Sequence, residues 1–343
     1  MKFGLVPLDQ AEGAILAHSV ALHASHLRKG TLLGRADLED LAAAGLSEVT
    51  VARLDPDDVD EDAAARRVAE ALVPDPAGTG LRLVPVGTGR VNILAEGPGL
   101  LRVIVERIHA LNAVDPAITL ACHTDFMRLD PGALAATVKI ISYGVPARAV
   151  AQAAEAGRAG LRLQAPVLRH ARLIQTRIGA DFDPAKGHAV MAARLERLGV
   201  TLAPAVSVPH ATAPLAAALR TADEDLVLIL TGSATSDLQD TAPEALRRAG
   251  GTVSHFGMPV DPGNLLFLGA LQARPVIGLP GCARSPALNG ADWVMERVIC
   301  GLTPTPAQIM GMGVGGLLKE IPSRPRPRRI GERAAPGKVT PRN

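Results

Sequence analysis

DLVLILTGSATSDLQD (225–240) decides how the chain is read. Its first half sets five aliphatic residues in succession, Leu226 to Leu230, with no polar residue between them. A strand with one face in water alternates apolar and polar side chains, whereas an unbroken run predicts a strand covered on both faces, as in parallel sheets. The run stops at Thr231-Gly232. Small residues and hydroxyls follow (Ser233 to Ser236), then Asp237 and Asp240, then TAPEALRRAGG (241–251), which predicts a helix capped by Asp240 or Thr241.

The same alternation extends in both directions. Upstream, ARLIQTRI (171–178) and VTLAPAVSV (200–208) predict strands, while GHAVMAARLERLG (187–199) and APLAAALRTA (213–222) predict helices. Downstream, TVSHFGMPV (252–260) predicts a strand and LLFLGAL (265–271) with RPVIGLPG (274–281) a hairpin. SPALNGADWVMERVI (285–299) predicts a helix with Ser285 at its N-cap and Pro286 in its first turn. Strand and helix in alternation predict a doubly wound α/β sheet over 166–302.

The rest divides by composition. Residues 1–75 form a small N-terminal α+β module, with a helix and strand in RADLEDLAAAGLSEVTVARL (35–54) and a second helix in DEDAAARRVAEAL (60–72). A middle α/β segment over 81–165 has strands at LRLVPVG (81–87) and TVKIISYGV (137–145), a helix over GLLRVIVERIHALN (99–112) and another opened by Pro146. Residues 303–343 are Gly-rich, then a basic Pro/Arg-rich tail.

Of the 343 residues 48% are apolar and 20% charged, the balance of a globular protein of two or three domains. Aromatics are 2%, too few for base-stacking platforms. The net charge of +2 hides an asymmetry: 319–343 hold eight basic and two acidic residues, which leaves the body at about −4. A mildly acidic body argues against nucleic acid as the partner. The uncharged stretches 198–219 and 298–318 are broken by prolines and glycines, which argues against a membrane span. Cys122, Cys282 and Cys300 cannot all pair, and no leader-like run opens the chain, so a cytoplasmic location is expected.

Ligands of open α/β sheets sit beyond the carboxyl ends of the strands. Two loops qualify. Thr231, Gly232 and Ser233 offer backbone N–H groups and hydroxyls to an anion, with Asp237 and Asp240 beside them as candidate Mg²⁺ or proton carriers. Gly278, Pro280, Gly281, Cys282 and Ser285 form a second turn of the same kind. Pro262 and Gly263 mark a fixed turn between them. Taken singly, each reads at least as well as a helix cap or a turn.

Together, three ordered segments resemble the molybdopterin-binding domain of molybdenum cofactor biosynthesis proteins. The family's T-G-G and following acid align with Thr231-Gly232-Ser233 and Asp240; its P-G-K-P with Pro262-Gly263-Asn264-Leu265; its G-L-P-G-N-P-x-S with Gly278 through Ser285. Residues 30–54 also resemble the stretch preceding this domain in molybdotransferases. The resemblance is closest to the type joined elsewhere to a cytidylyltransferase domain. It implies a three-layer α/β/α fold and molybdopterin as ligand or substrate. The 231–233 loop would hold the terminal phosphate, the 278–285 turn the pterin side and Asp240 a Mg²⁺ ion. It also implies ATP or CTP as co-substrate, oligomers, and a second cofactor-biosynthesis enzyme or a molybdoenzyme as partner. Ser233 stands where the family has glycine, Asn264 where it has lysine, Cys282-Ala283 where it has Asn-Pro; the acid of catalytic members has only Asp181 and Asp183 near its place. Three readings stay open: nucleotidyl transfer or molybdate insertion, a non-catalytic molybdopterin carrier, and an unrelated α/β enzyme acting on nucleotide phosphates.

Overall fold

The computed structural model describes residues 1–22, 25–179, 182–261 and 263–318. The basic tail, Pro262 and Asp181 therefore lie outside the described residues. The chain folds as two compact units, one of Met1–Val167 with Arg197–Gly199, the other of Leu168–Glu196 and residues from Val200 onward.

Two apolar clusters lie among the described residues of the first unit. In the smaller, strands Lys2–Pro7, Glu48–Arg53 and Ile15–Leu16 pair antiparallel, and Leu16, Leu33, Leu41, Val49 and Val51 pack together beneath helix Arg35–Ala43. In the larger, a four-stranded antiparallel sheet (Ile118–Cys122, Leu134–Ile140, Arg90–Ala95, Leu81–Gly87) packs with helices Glu61–Leu72, Val105–Asn112 and Ala147–Gly157. Asp60 caps the first of these helices by accepting from the Ala63 N–H at 2.9 Å. The helix expected over 99–112 is shorter. Residues Gly99–Val103 form a strand between Arg128–Leu129 and Leu161–Gln164, and only Val105–Asn112 is helical. The apolar run Leu100-Leu101 satisfies either period, and pairing with the Leu161–Gln164 strand decides it.

The second unit is an α/β domain built on one mixed sheet, ordered Thr201–Leu202, His170–Arg177, Leu226–Leu230, Arg274–Leu279, Asn264–Leu271, Thr252–Met258, with Val206–Pro209 also on His170–Arg177. His170–Arg177, Leu226–Leu230 and Arg274–Leu279 run parallel; the last three strands in that order are joined antiparallel. All five residues of Leu226–Leu230 are fully buried, as their unbroken apolar run requires. Val227 and Ile229 pack with Leu215, Leu219 and Leu246 of helices Thr212–Thr221 and Thr241–Arg248. Leu230, on the opposite face by the two-residue period, lies against Gly187 of helix Pro184–Glu196.

Two expectations are corrected. The strand over 200–208 is two pieces, Thr201–Leu202 and Val206–Pro209, separated around Pro204, which has no N–H for the ladder. The last helix starts at Gly290, not beside Ser285. Asn289 is its N-cap, accepting from Ala291 N–H at 2.9 Å, while Asp292 accepts from the Asn289 N–H at 2.9 Å. This reciprocal box is the stronger start signal, and Ser285 instead ends a short 3₁₀ turn, Gly281–Arg284.

Candidate functional site

The carboxyl ends of the three parallel strands, at Arg177, Leu230 and Leu279, lie along one edge of the sheet, and the chain leaves each in a loop. Between these loops opens a cavity of about 670 Å³, within the usual range for small-molecule sites. Ile178, Phe182 and Asp183 line it from the first loop, Lys186 and Gly187 from the helix that follows, Gly232 from the second loop, and Gly281, Cys282, Arg284, Ser285 and Pro286 from the third.

Local hydrogen bonds set each wall. Buried Gln175 donates to the Pro184 carbonyl at 2.8 Å and so fixes the start of the Lys186 helix. Gly232 donates its N–H to the Thr176 hydroxyl at 2.8 Å, and that hydroxyl lies 2.8 Å from Nδ1 of His210. Which of the two donates in that second contact depends on the His210 tautomer. The Gly232 N–H is thus turned inward and is not offered to a ligand. A side chain at Gly232 would come within 2.8 Å of the Thr176 carbonyl, so the two strand ends meet as closely as backbones allow.

The third loop is held by two arginines. Arg284 donates to the Thr231 carbonyl at 2.7 Å, joining the second and third loops, and its guanidinium lies 5.9 Å from the Phe182 ring centre, a cation–π distance. Burial pulls its pKa below the ordinary arginine value, yet the group stays cationic at neutral pH. Arg194 lies behind the loop. Its Nε is 2.6 Å from the Asp292 carboxylate, and its other nitrogens donate to the carbonyls of Ala283 at 2.9 Å, Ser285 at 2.6 Å and Ala287 at 3.0 Å.

The structure thus brings Gly232 together with Gly281, Cys282 and Ser285 around one cavity. The other predicted residues are placed elsewhere. Thr231 is buried, its carbonyl taken by Arg284, and Ser233 is exposed without lining the cavity. Pro280 is buried at the turn, and Gly263 is exposed at φ +89°. Gly278 lies inside its strand against Phe267, where an added Cβ would fall 1.9 Å from a ring carbon. Asp237 accepts from the Gln239 N–H at 2.7 Å, closing a local turn.

Asp240 is a cap. One oxygen accepts from Thr241 N–H at 2.6 Å, the other from Ser236 N–H at 2.9 Å, and it does not line the cavity. Burial pushes its pKa up, but these two N–H groups and nearby His210 outweigh that and hold it below the ordinary value. Among the described residues, no three His, Cys, Asp or Glu side chains gather as a metal site. A carboxyl whose folded pKa is lowered adds stability that is complete above its unfolded value near 3.9 and is lost as pH falls through the folded value. Asp240→Asn keeps one of the two accepting oxygens, sets an amide against the other N–H and cannot titrate. We expect Asp240→Asn and Asp240→Ala each to cost about 1 kcal/mol at neutral pH, and the gap from the parent to narrow below about pH 4 as the parent loses the carboxylate's contribution. Urea unfolding at both pH values checks this.

Lys186, Arg284 and Phe182 were not singled out by the sequence. The signal was present for Lys186, in the first turn of a helix that leaves a parallel strand. Arg284 sits inside a motif whose glycines drew the attention. Between them these two residues supply the positive charge that Asn264, in the family's lysine place, does not; Asn264 is buried.

Residues 185–298 match the family model described as a probable molybdopterin binding domain. Apart from Arg197–Gly199, the matched stretch lies in the second unit. The matched stretch holds both cavity cations, Lys186 and Arg284, whereas Ile178, Phe182 and Asp183 precede it. Residues 5–53, in the first unit, match a model described as a domain of unknown function (DUF8806). No curated protein matches the chain. No helix among the described residues is long and apolar enough to cross a membrane.

Proposed function

We propose that the cavity at the strand ends of the second unit binds molybdopterin, in a domain of three-layer α/β/α arrangement. One observation carries this reading: in a stretch matched to a molybdopterin-binding family, two cations from different elements, Lys186 of the helix and Arg284 of the third loop, line a cavity that also offers Phe182 and the unhindered turn at Gly281. The cations and the 281–285 turn hold the phosphate, and Phe182 with Ile178 covers the pterin's apolar surface. When bound, molybdopterin supplies the dithiolene that takes up a metal; the chain supplies charge, shape and exclusion of water. Binding is expected to weaken by about tenfold or more in Lys186→Gln, read by pterin fluorescence titration, because a charge-assisted hydrogen bond is lost from an exposed residue without disturbing the core. Equal affinity in parent and variant would reject the site. Mass measurement on protein purified from a cofactor-producing host tests the ligand itself.

A second reading, nucleotidyl transfer to molybdopterin or molybdate insertion, is favoured by Asp183. It lines the same cavity and engages one oxygen with the Ala185 N–H at 2.8 Å. It would position a co-substrate, and Asp240, fully engaged as a cap, would not. Incubation with molybdopterin, ATP or CTP and Mg²⁺ separates the readings. A nucleotidyl product supports transfer, and binding without product supports a carrier that passes the ligand to a partner enzyme.

A further inference from the structure

The first unit holds a second cavity, of about 380 Å³, lined by Arg102, Val103, Ile104, Arg107, Leu161 and Arg162 among others. Three arginines around one hollow need an explanation, because guanidiniums repel when placed side by side. Arg102 and Arg162 are register partners on the antiparallel strands Gly99–Val103 and Leu161–Gln164, so their side chains leave the same face as direct neighbours. Arg107 comes from the adjoining helix, Val105–Asn112.

Two of the three are fixed by their surroundings. Arg102 Nε is 2.9 Å from the Asp125 carboxylate, and its guanidinium stacks 4.3 Å from the Phe126 ring centre. The same Asp125 oxygen also takes the Val103 N–H at 3.0 Å. Arg107 donates to the Arg158 carbonyl. Arg162 has no hydrogen bond or ion pair among the described residues. Asp125 is the carboxylate engaged with this group, so three positive charges face one negative charge. Such an excess beside a concave surface is the electrostatic signature of an anion site, and planar guanidiniums suit the tetrahedral oxygens of phosphate. The volume exceeds what a bare ion needs. Val103 and Leu161, the next register pair, turn their side chains to the opposite, core face, so the apolar side chain offered beside the arginines is that of exposed Ile104.

We propose that this cavity binds a small phosphate ester, its phosphate gripped by Arg102, Arg107 and Arg162 and its organic part laid against the exposed Ile104 side chain. This site is independent of the molybdopterin reading, since it rests on residues of the other unit alone.

The test is calorimetric titration of the full chain with phenyl phosphate, inorganic phosphate and sulfate at constant ionic strength. We expect saturable binding of phenyl phosphate, tighter than inorganic phosphate by about tenfold, consistent with burial of the ring. Arg162→Gln, an exposed and unpartnered change that leaves the core intact, should weaken it by about tenfold or more. Arg66→Gln, an exposed change on helix Glu61–Leu72 outside both cavities, should leave it unchanged. Absence of saturable binding, equal affinity in Arg162→Gln, or a matching loss in Arg66→Gln would each overturn the proposal. Equal affinity for phosphate and its phenyl ester would overturn the role of Ile104.

Discussion

Arg194→Ala should unfold at a temperature well below the parent's, with a loss of about 3–5 kcal/mol, and should abolish ligand binding at the second-unit cavity. The arginine is 11% exposed and its partner Asp292 8%. Removing the guanidinium takes from the buried Asp292 carboxylate its ion pair with Arg194 while the Asn289 N–H stays on it, and loss of that buried charge pair is the expensive part. Three carbonyls, of Ala283, Ser285 and Ala287, lose their donor together. These carbonyls belong to the loop that presents Arg284 and Ser285 to the cavity. Arg194→Lys retains the charge but not the fork that reaches several acceptors at once, so it should fall between parent and alanine in stability while still losing affinity. Thermal unfolding by circular dichroism and a pterin titration on the lysine variant give the two readouts. A lysine variant with parental affinity would show that the loop keeps its shape unaided.

Gly278→Ala should cost about 3 kcal/mol or more, although alanine is the smallest possible addition. The new methyl would sit 1.9 Å from a Phe267 ring carbon and 2.0 Å from the next. Both residues are buried in adjacent strands and are register partners, so neither retreats freely. Extra volume in a close-packed core commonly costs about 1–3 kcal/mol, and here the clash is with a ring wedged between strands. Phe267→Leu alone should destabilise by cavity formation, yet the double variant should regain much of the Gly278→Ala loss. That non-additivity, measured by urea unfolding of the four proteins, identifies Gly278 as a packing glycine. Simple additivity would return it to the list of ligand contacts.

The α/β character of 168–300 could be read from the sequence because the Leu226–Leu230 run, the capped helix after Asp240 and the hairpin at 264–279 each carry a local signal. The meeting of the 232 and 281–285 turns could also be expected, since parallel strands deliver their carboxyl ends to one edge. What could not be read was orientation. Nothing in Thr231-Gly232-Ser233 tells that the Gly232 N–H turns toward Thr176, because Thr176 lies 56 residues away in sequence. The role of Asp240 was ambiguous for a different reason: an acid before a helix serves equally as cap and as metal ligand until its two oxygens are seen to be occupied. Lys186 and Arg284 were missed because a lone cation has no sequence pattern, and only the fold brings two of them to one hollow. The boundary errors at 99–104 and 285–289 share a cause, since short apolar or proline-marked stretches satisfy two local rules and long-range pairing chooses between them.

Helix Pro184–Glu196 carries Lys186 in its first turn and Arg194 in its last, eight positions on, a span of about 12 Å. Its first turn lines the cavity, and its last turn is bonded to the loop that carries Arg284. A single rod therefore sets the gauge of the opening, and the two jaws cannot spread without breaking its anchorage. For the proposed ligand, this anchorage predicts entry by fit into a preformed aperture rather than closure around the guest.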